Sequence, residues 1–124
     1  MGDAVGPPLV AIGDNCIDLY MQTGVQLVGG NAVNVAAHWA LAGRHSAYIG
    51  AVGDDDHGRA VTDALAAAGV DLRGLRTLPG RTGVTEVRLR DDGDRVILSE
   101  DLGVSADLWL VAVPGGPARA DENG

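Results

Sequence analysis

Two aspartates, two asparagines and a glycine pair are the residues of this chain best suited to hold a ligand. Gly29-Gly30-Asn31 and Asn34 open an Ala-rich stretch that runs to Gly43. Adjacent glycines allow backbone dihedrals closed to other residues and let a ligand approach the main chain closely. A helix starting directly after them brings ligand and helix N-terminus to one point. Asn31 is the expected N-cap, Val33, Ala36, Ala37, Ala40 and Leu41 follow helical spacing, and Gly43 stands where a left-handed residue would end the helix. Asn34, in the first turn, presents an amide that both donates and accepts, which is the chemistry needed to hold a sugar or polyol hydroxyl. Asp14, Asn15 and Asp18 follow the apolar run Leu9-Val10-Ala11-Ile12, read as a buried strand ended by Gly13. Strands of open α/β sheets deliver ligand-binding residues at their C-terminal ends. The same residues also spell an ordinary tight turn before a buried helix, and turn chemistry accounts for Asp14 and Asn15 equally well.

The elements that must position these residues follow from the apolar patterning. Ser46 to Val52 reads as a second core strand, and a helix is expected over 59–68, with Val61, Ala64, Leu65 and Ala68 on one stripe and Gly69 at its end. Two strand–helix units in succession imply parallel strands joined by right-handed crossovers. Asp54-Asp55-Asp56 precedes that helix and is read as capping its free amides, because one continuous run does not easily turn three carboxylates onto one ion. Between Leu19 and Val28 the pattern is irregular and reads as one strand of a small accessory sheet and its return. Val84 to Arg90 and Arg95 to Ser99 alternate about Asp92-Gly93, a β-hairpin with one polar face. Arg88 or Arg90 could face a substrate carboxylate or phosphate, although a solvated strand face accounts for them more simply. Asp107 to Val113 is expected to be the next sheet strand, and residues 114–124 have the composition of a disordered tail.

Composition narrows the function classes. The 124 residues suit one small domain, and with 3% aromatic residues and no Phe the core must be built from Ala, Val, Leu and Ile. The formal charge is −8, and all nine basic residues are Arg, so neither nucleic acid nor an anionic membrane surface is an expected partner. The N-terminus lacks the basic and apolar regions of a signal peptide and no apolar run reaches the length of a membrane span, giving a cytoplasmic expectation. The single Cys16 has no evident His partner and is not read as a nucleophile, and no His or Cys spacing reads as a zinc site. His38, His45 and His57 are read as helix, loop and cap-region residues rather than general bases.

The spacing from Gly29-Gly30 through Ala32, Asn34 and Ala36 to Gly43 and Gly53 resembles the N-terminal signature of the pfkB family of carbohydrate kinases, the ribokinase-like sugar kinases. Ala51 to Gly58, Leu65, Gly69-Val70-Asp71, Thr82-Gly83 and Asp92 to Arg95 resemble its continuation. The opening Ile12 to Tyr20 together with Gly29 to Asn34 is most similar to the fructosamine kinases, the fructoselysine type among them. The resemblance covers about residues 8 to 107 and the first half of a usual member. It implies an α/β, ribokinase-like three-layer α/β/α fold with a parallel sheet core and a small β-hairpin lid. Residues 1–113 would form the N-terminal half of that domain, with lid strands near 15–28 and 83–100. Asp18 matches the acidic residue that accepts hydrogen bonds from sugar hydroxyls, and Asp14, Gly29, Gly30, Asn31 and Asn34 complete the expected sugar-binding set.

The resemblance further implies transfer of the ATP γ-phosphoryl group to a sugar or glycated amine, with ATP and magnesium as cofactors and a lid that often forms a homodimer contact. The family's catalytic Gly-Ala-Gly-Asp motif belongs to the other half and is not matched here, so no catalytic residue and no metal ligand is assigned, and nucleotide binding by this chain alone is not expected. A non-catalytic sugar-binding or dimerisation module, or one half of a split kinase, is the alternative. A dinucleotide-dependent oxidoreductase fails on glycine spacing. Half of such a domain should expose a sheet edge and apolar faces and be marginally stable alone.

Overall fold

The computed structural model describes residues 5–104. The expected strand over 107–113 and the tail from 114 to 124 lie outside them. The described chain runs β1 (Val5–Ile12), β2 (Cys16–Tyr20), β3 (Val25–Gly29), α1 (Asn31–Leu41), β4 (Arg44–Gly53), α2 (Asp56–Ala68), β5 (Asp71–Leu78), β6 (Thr82–Leu89) and β7 (Arg95–Gly103). These form two sheets, one of three parallel strands in the order β1-β4-β5 and one of four in the order β3-β2-β6-β7.

The parallel sheet follows the expected alternation of strand and helix. β1 starts at Val5, four residues before the apolar run, and passes through Pro7 and Pro8. A strand with prolines survives only where the missing N–H bonds are not needed; the register with β4 shifts between Val5 and Leu9 and is regular from Leu9↔Ser46 to Ile12↔Ile49. Successive crossovers of one hand from β1 to β4 to β5 place α1 and α2 together on one face, where they pack on each other and on β4.

Helix α1 buries Val33 and Ala36, and Ser46 donates to the Ala36 carbonyl at 2.7 Å. Leu41, expected on the buried stripe, is 68% exposed because it sits on the last turn, beyond the reach of the sheet. Gly43 at φ +81 ends the helix as expected. Helix α2 begins three residues earlier than expected, at Asp56, since Asp55 caps it by accepting from the Gly58 amide at 2.8 Å. Val61 and Leu65 are fully buried, Ala68 partly so, and Ala64 faces solvent. β5 has no counterpart in the sequence reading. Arg73, Gly74 and Arg76 interrupt its apolar pattern, because as the outer strand among the described residues it keeps one flank in water.

In the four-stranded sheet, β2 and β3 form one hairpin through Gly24 (φ +71), and β6 and β7 form another through Gly93 (φ +89). The hairpins join by parallel pairing of β2 with β6. One face of this sheet enters the core. Ile17, 1% exposed, belongs to the cluster of Ala11, Val33, Ala36, Tyr48, Val52, Val61, Leu65 and Val70, with Val28 and Val84 packed against it. Tyr48 also belongs to that cluster, fully buried among the described residues, where the composition led to a core of Ala, Val, Leu and Ile alone.

Candidate functional site

The glycine pair sits where the two sheets meet, and each glycine is pressed against a different aspartate. A Cβ on Gly29 would fall 2.9 Å from the Asp18 carboxylate, and one on Gly30 would fall 2.6 Å from the main-chain carbonyl of Asp14. Gly30, at φ +108, is itself the N-cap of α1, and no side chain caps the helix. The expectation that Asn31 is the N-cap is therefore corrected. The unusual dihedrals needed to enter the helix fall on the residue without a Cβ, leaving Asn31 as the first helical residue with its side chain exposed. The Gly30 carbonyl accepts from the Asn34 amide at 3.0 Å, so the turn is closed directly onto the helix.

Asp14 and Asn31 line one open cavity of about 330 Å³ with Ile12, Gly13 and Ala32. Asn34, one turn further along α1, lines another of about 390 Å³ with His38, Trp39 and Arg44, whose guanidinium lies 5.3 Å from the Trp39 ring centre. Of the six expected sugar-binding residues, the fold brings Asp14, Gly30 and Asn31 together and sets Asp18 against Gly29. Asn34 faces a neighbouring groove.

Asn15 occupies a different place from its neighbours. It is 1% exposed, and its Nδ2 donates to both the Tyr48 hydroxyl (3.0 Å) and the Ala51 carbonyl (2.7 Å). The Tyr48 hydroxyl in turn donates to the Gly13 carbonyl at 2.7 Å. Burial, the largest cause, and the nearby Asp14 charge push the Tyr48 phenol up to about 12, so it stays a neutral donor.

Asp18 lies on the face of the four-stranded sheet away from Ile17, paired with Leu27 and Thr85. Its Oδ1 accepts from the Cys16 thiol at 3.4 Å, and its Oδ2 stands 3.6 Å from the Arg95 guanidinium. Burial first, and then the Asp18 charge, push the Cys16 thiol up to about 11, which leaves it uncharged at neutral pH and a poor nucleophile. Arg88 and Arg90 sit at the solvated end of β6, the simpler account of them. Both are exposed and lie with Gln22, Asp91 and Asp92 around a cavity of about 460 Å³ at the turn end of β6. Arg95 is the arginine that reaches Asp18, and the signal was available in the hairpin. Counting back from Asp92-Gly93 pairs Arg95 with Leu89, which shares a face with Thr85 and hence with Asp18.

Within the acidic run, Asp55 is tied to the protein itself. Asp55 accepts from the Gly58 amide, from the Thr82 amide at 3.0 Å and from the Thr82 hydroxyl at 2.7 Å, and that hydroxyl accepts from the Gly53 amide at 2.8 Å. Burial raises the Asp55 carboxyl, but the Thr82 and Gly58 hydrogen bonds outweigh it and hold the group below the ordinary carboxylate value. Among the described residues no group of three or more His, Cys, Asp or Glu side chains converges on a metal position. Nor is any helix among them long and apolar enough to cross a membrane.

Comparisons with known proteins agree with this architecture. The family model described as pfkB family carbohydrate kinase matches residues 8–109. The fructoselysine 6-kinase of Escherichia coli (strain K12) is 44% identical over 102 residues, which cover 82% of this chain and 39% of that protein. Fructosamine kinase FrlD of Bacillus subtilis (strain 168) is 35% identical over 95 residues, 77% of this chain and 34% of that one. Among solved structures, Arabidopsis thaliana ribokinase complexed with ribose and ATP superposes with a TM-score of 0.69 at 31% identity, covering 76% of this chain and 36% of that one. The chain thus spans well under half the length of the relatives it matches.

Proposed function

The chain belongs to the pfkB family of carbohydrate kinases, and from that membership we propose that it supplies the sugar-binding side of an ATP-dependent kinase acting on a sugar hydroxyl of a fructosamine, of the fructoselysine type. The observation that carries this reading is the seating of Gly29 against the Asp18 carboxylate and of Gly30 against Asp14 at the start of α1. Such a junction offers a carboxylate acceptor and the exposed amide of Asn31 to a neutral polyol, with the exposed amide of Asn34 in the adjoining groove. In this reading Asp18, Asp14, Asn31 and Asn34 bind sugar hydroxyls, while Gly29 and Gly30 let Asp18 and Asp14 close onto the start of α1. The fructosamine class is supported by the similarity to the fructoselysine and fructosamine kinases over most of the chain.

ATP and magnesium would act in the fuller enzyme. The described residues do not fit a metal, since they contain no convergent donor set, and no chemical step is assigned to them. Residues 1–113 would form the N-terminal half of the kinase domain, with β2, β3, β6 and β7 as a lid over the sugar.

A second reading, a sugar-binding module completed by a partner chain or by a second copy, is favoured by exposed apolar side chains. Val10, Ile12, Val35 and Leu41 lie on β1 and α1, and Val25, Leu27 and Ile97 on the four-stranded sheet, each 48% to 68% exposed.

Isothermal titration of the chain with fructoselysine, fructose and ribose tests the proposal. Fructoselysine should bind, and Asp18→Ala should weaken it by about tenfold or more, the scale of losing a hydrogen bond to a charged acceptor. If the folded chain takes up none of the three sugars, the sugar-binding assignment is wrong.

A further inference from the structure

The turn carrying Asp14 is clamped from two sides. From α1, Gly30 meets the Asp14 carbonyl and the Asn15 Cα, and a Cβ on Gly13 would come within 2.7 Å of the Ala32 Cβ. From β4, the Tyr48 hydroxyl holds the Gly13 carbonyl while Asn15 Nδ2 spends both hydrogens on Tyr48 and Ala51. The Asn15 amide orientation is fixed by this pattern, because the Ala51 carbonyl can only accept. Its Oδ1 is left buried with no partner among the described residues, a cost natural chains carry where a fixed geometry is needed. Gly50 completes the device. Any Cβ there would collide with the Tyr48 ring and hydroxyl, so the ring lies flat along β4 and reaches the turn only because position 50 is glycine.

We infer that Asn15 and Tyr48 are positioning residues, a buried polar strut that sets the Gly13–Asn15 turn and, through it, the Gly30 entry to α1 for sugar binding. Neither side chain is open to a ligand, since they are 1% and 0% exposed. They act on Asp14 and Gly30, so the inference rests on the proposed sugar site for its consequence but on the hydrogen bonds alone for its mechanics.

The test uses the full 124-residue chain and Tyr48→Phe, which keeps the ring over Gly50 and deletes only the hydroxyl, together with Asn15→Leu. The control is Ser46→Ala, which removes another buried hydroxyl from the same strand, one that bonds the middle of α1 at Ala36. Two readouts are taken on the folded proteins. The first is amide hydrogen exchange without sugar. The Asn34 amide, bonded to the Gly30 carbonyl, should exchange about tenfold faster in Tyr48→Phe than in the parent, and not in Ser46→Ala. The second is titration with fructoselysine, where Tyr48→Phe and Asn15→Leu should weaken binding by about tenfold and Ser46→Ala by less than about twofold.

Unchanged Asn34 exchange in Tyr48→Phe, or an equal rise in Ser46→Ala, overturns the strut. Sugar binding equal to the parent in both strut variants overturns its role in recognition. A parent chain that binds no sugar removes the site assignment instead, and the exchange data still decide the strut.

Discussion

The two sheets solve opposite problems with the same kind of residue. Around the parallel sheet, two glycines are packing devices: Gly30 at the entry to α1 and Gly50 on β4 are places where backbone or an aromatic ring occupies the space of a side chain. At the hairpin turns of the four-stranded sheet, Gly24 and Gly93 only turn the chain and have nothing within 4 Å of an added Cβ, unlike Gly29 and Gly103 at the ends of its strands. The first region is held by close approach and by the buried hydrogen bonds of Asn15, Tyr48 and Ser46. The second is held by its ladders, by Ile17 in the shared core, and by an ion pair in partial contact with water. The candidate site draws on both: the Asp14–Gly30 side inherits the rigidity of packing, and the Asp18 side the weaker, salt-sensitive hold of charge.

The sharpest way to break this contrast is to add one methyl group to each region. Gly30→Ala places a Cβ against the Asp14 carbonyl at a φ of +108 and should cost about 3 kcal/mol or more. Gly24→Ala meets no neighbour and should cost about 1 kcal/mol, the penalty of a left-handed residue alone. Urea unfolding of both variants measures the difference, and equal losses would abolish the distinction.

The seam between the sheets comes next. Thr82→Val deletes the hydroxyl that donates to Asp55 and accepts from Gly53, and should cost about 2 kcal/mol. A pH series sharpens the result. The folded-state Asp55 carboxyl lies below its ordinary value, so the unfolded chain binds more protons in that range. The stability this carboxylate contributes is fully present above the ordinary carboxylate pKa and is lost as pH falls through the lowered one. Thr82→Val should flatten that acid limb. A limb of unchanged slope would show that Thr82 does not hold the carboxyl down.

The smallest effect belongs to the charged side. Arg95→Ala should shift stability by less than about 1 kcal/mol, because the Arg95 side chain is 52% exposed and its contact with Asp18 is long. Sugar binding by the parent should change on raising salt from about 0.05 M to about 0.5 M, and binding by Arg95→Ala should change less. An equal salt response in both would mean that Arg95 does not act on Asp18.

Much of this was legible in the residue pattern. The apolar runs at Leu9–Ile12 and Ser46–Val52, the Ala-rich helix closed by Gly43, the acidic cap before α2 and the Asp92-Gly93 hairpin are all local signals, and each fell in its expected element, although the first run, read as buried, buries only Ala11 and leaves Val10 and Ile12 each 51% exposed. The glycine and asparagine spacing carried the family. Less local features were hidden. β5 was invisible because an outer strand with one wet flank does not need a continuous apolar pattern. Asn31 looked like a cap because Asn is a good capping residue, but the positive φ demanded at the junction went to Gly30. Arg95 drew no attention, because its contact with Asp18 follows from the strand's two-residue alternation and the register with β2.

The sequence by itself determined the family, the α/β class and the residue types available to a sugar, because these depend on composition, periodicity and spacing along the chain. Only the tertiary structure decided which of those residues meet. It buried Asn15 beneath the turn instead of presenting it and set Asp18 and Asp14 against successive glycines. It also turned Asn34 toward a neighbouring groove. Those outcomes depend on how strands 30 residues apart come into register, and on where a missing Cβ lets two backbones touch, which no local pattern encodes.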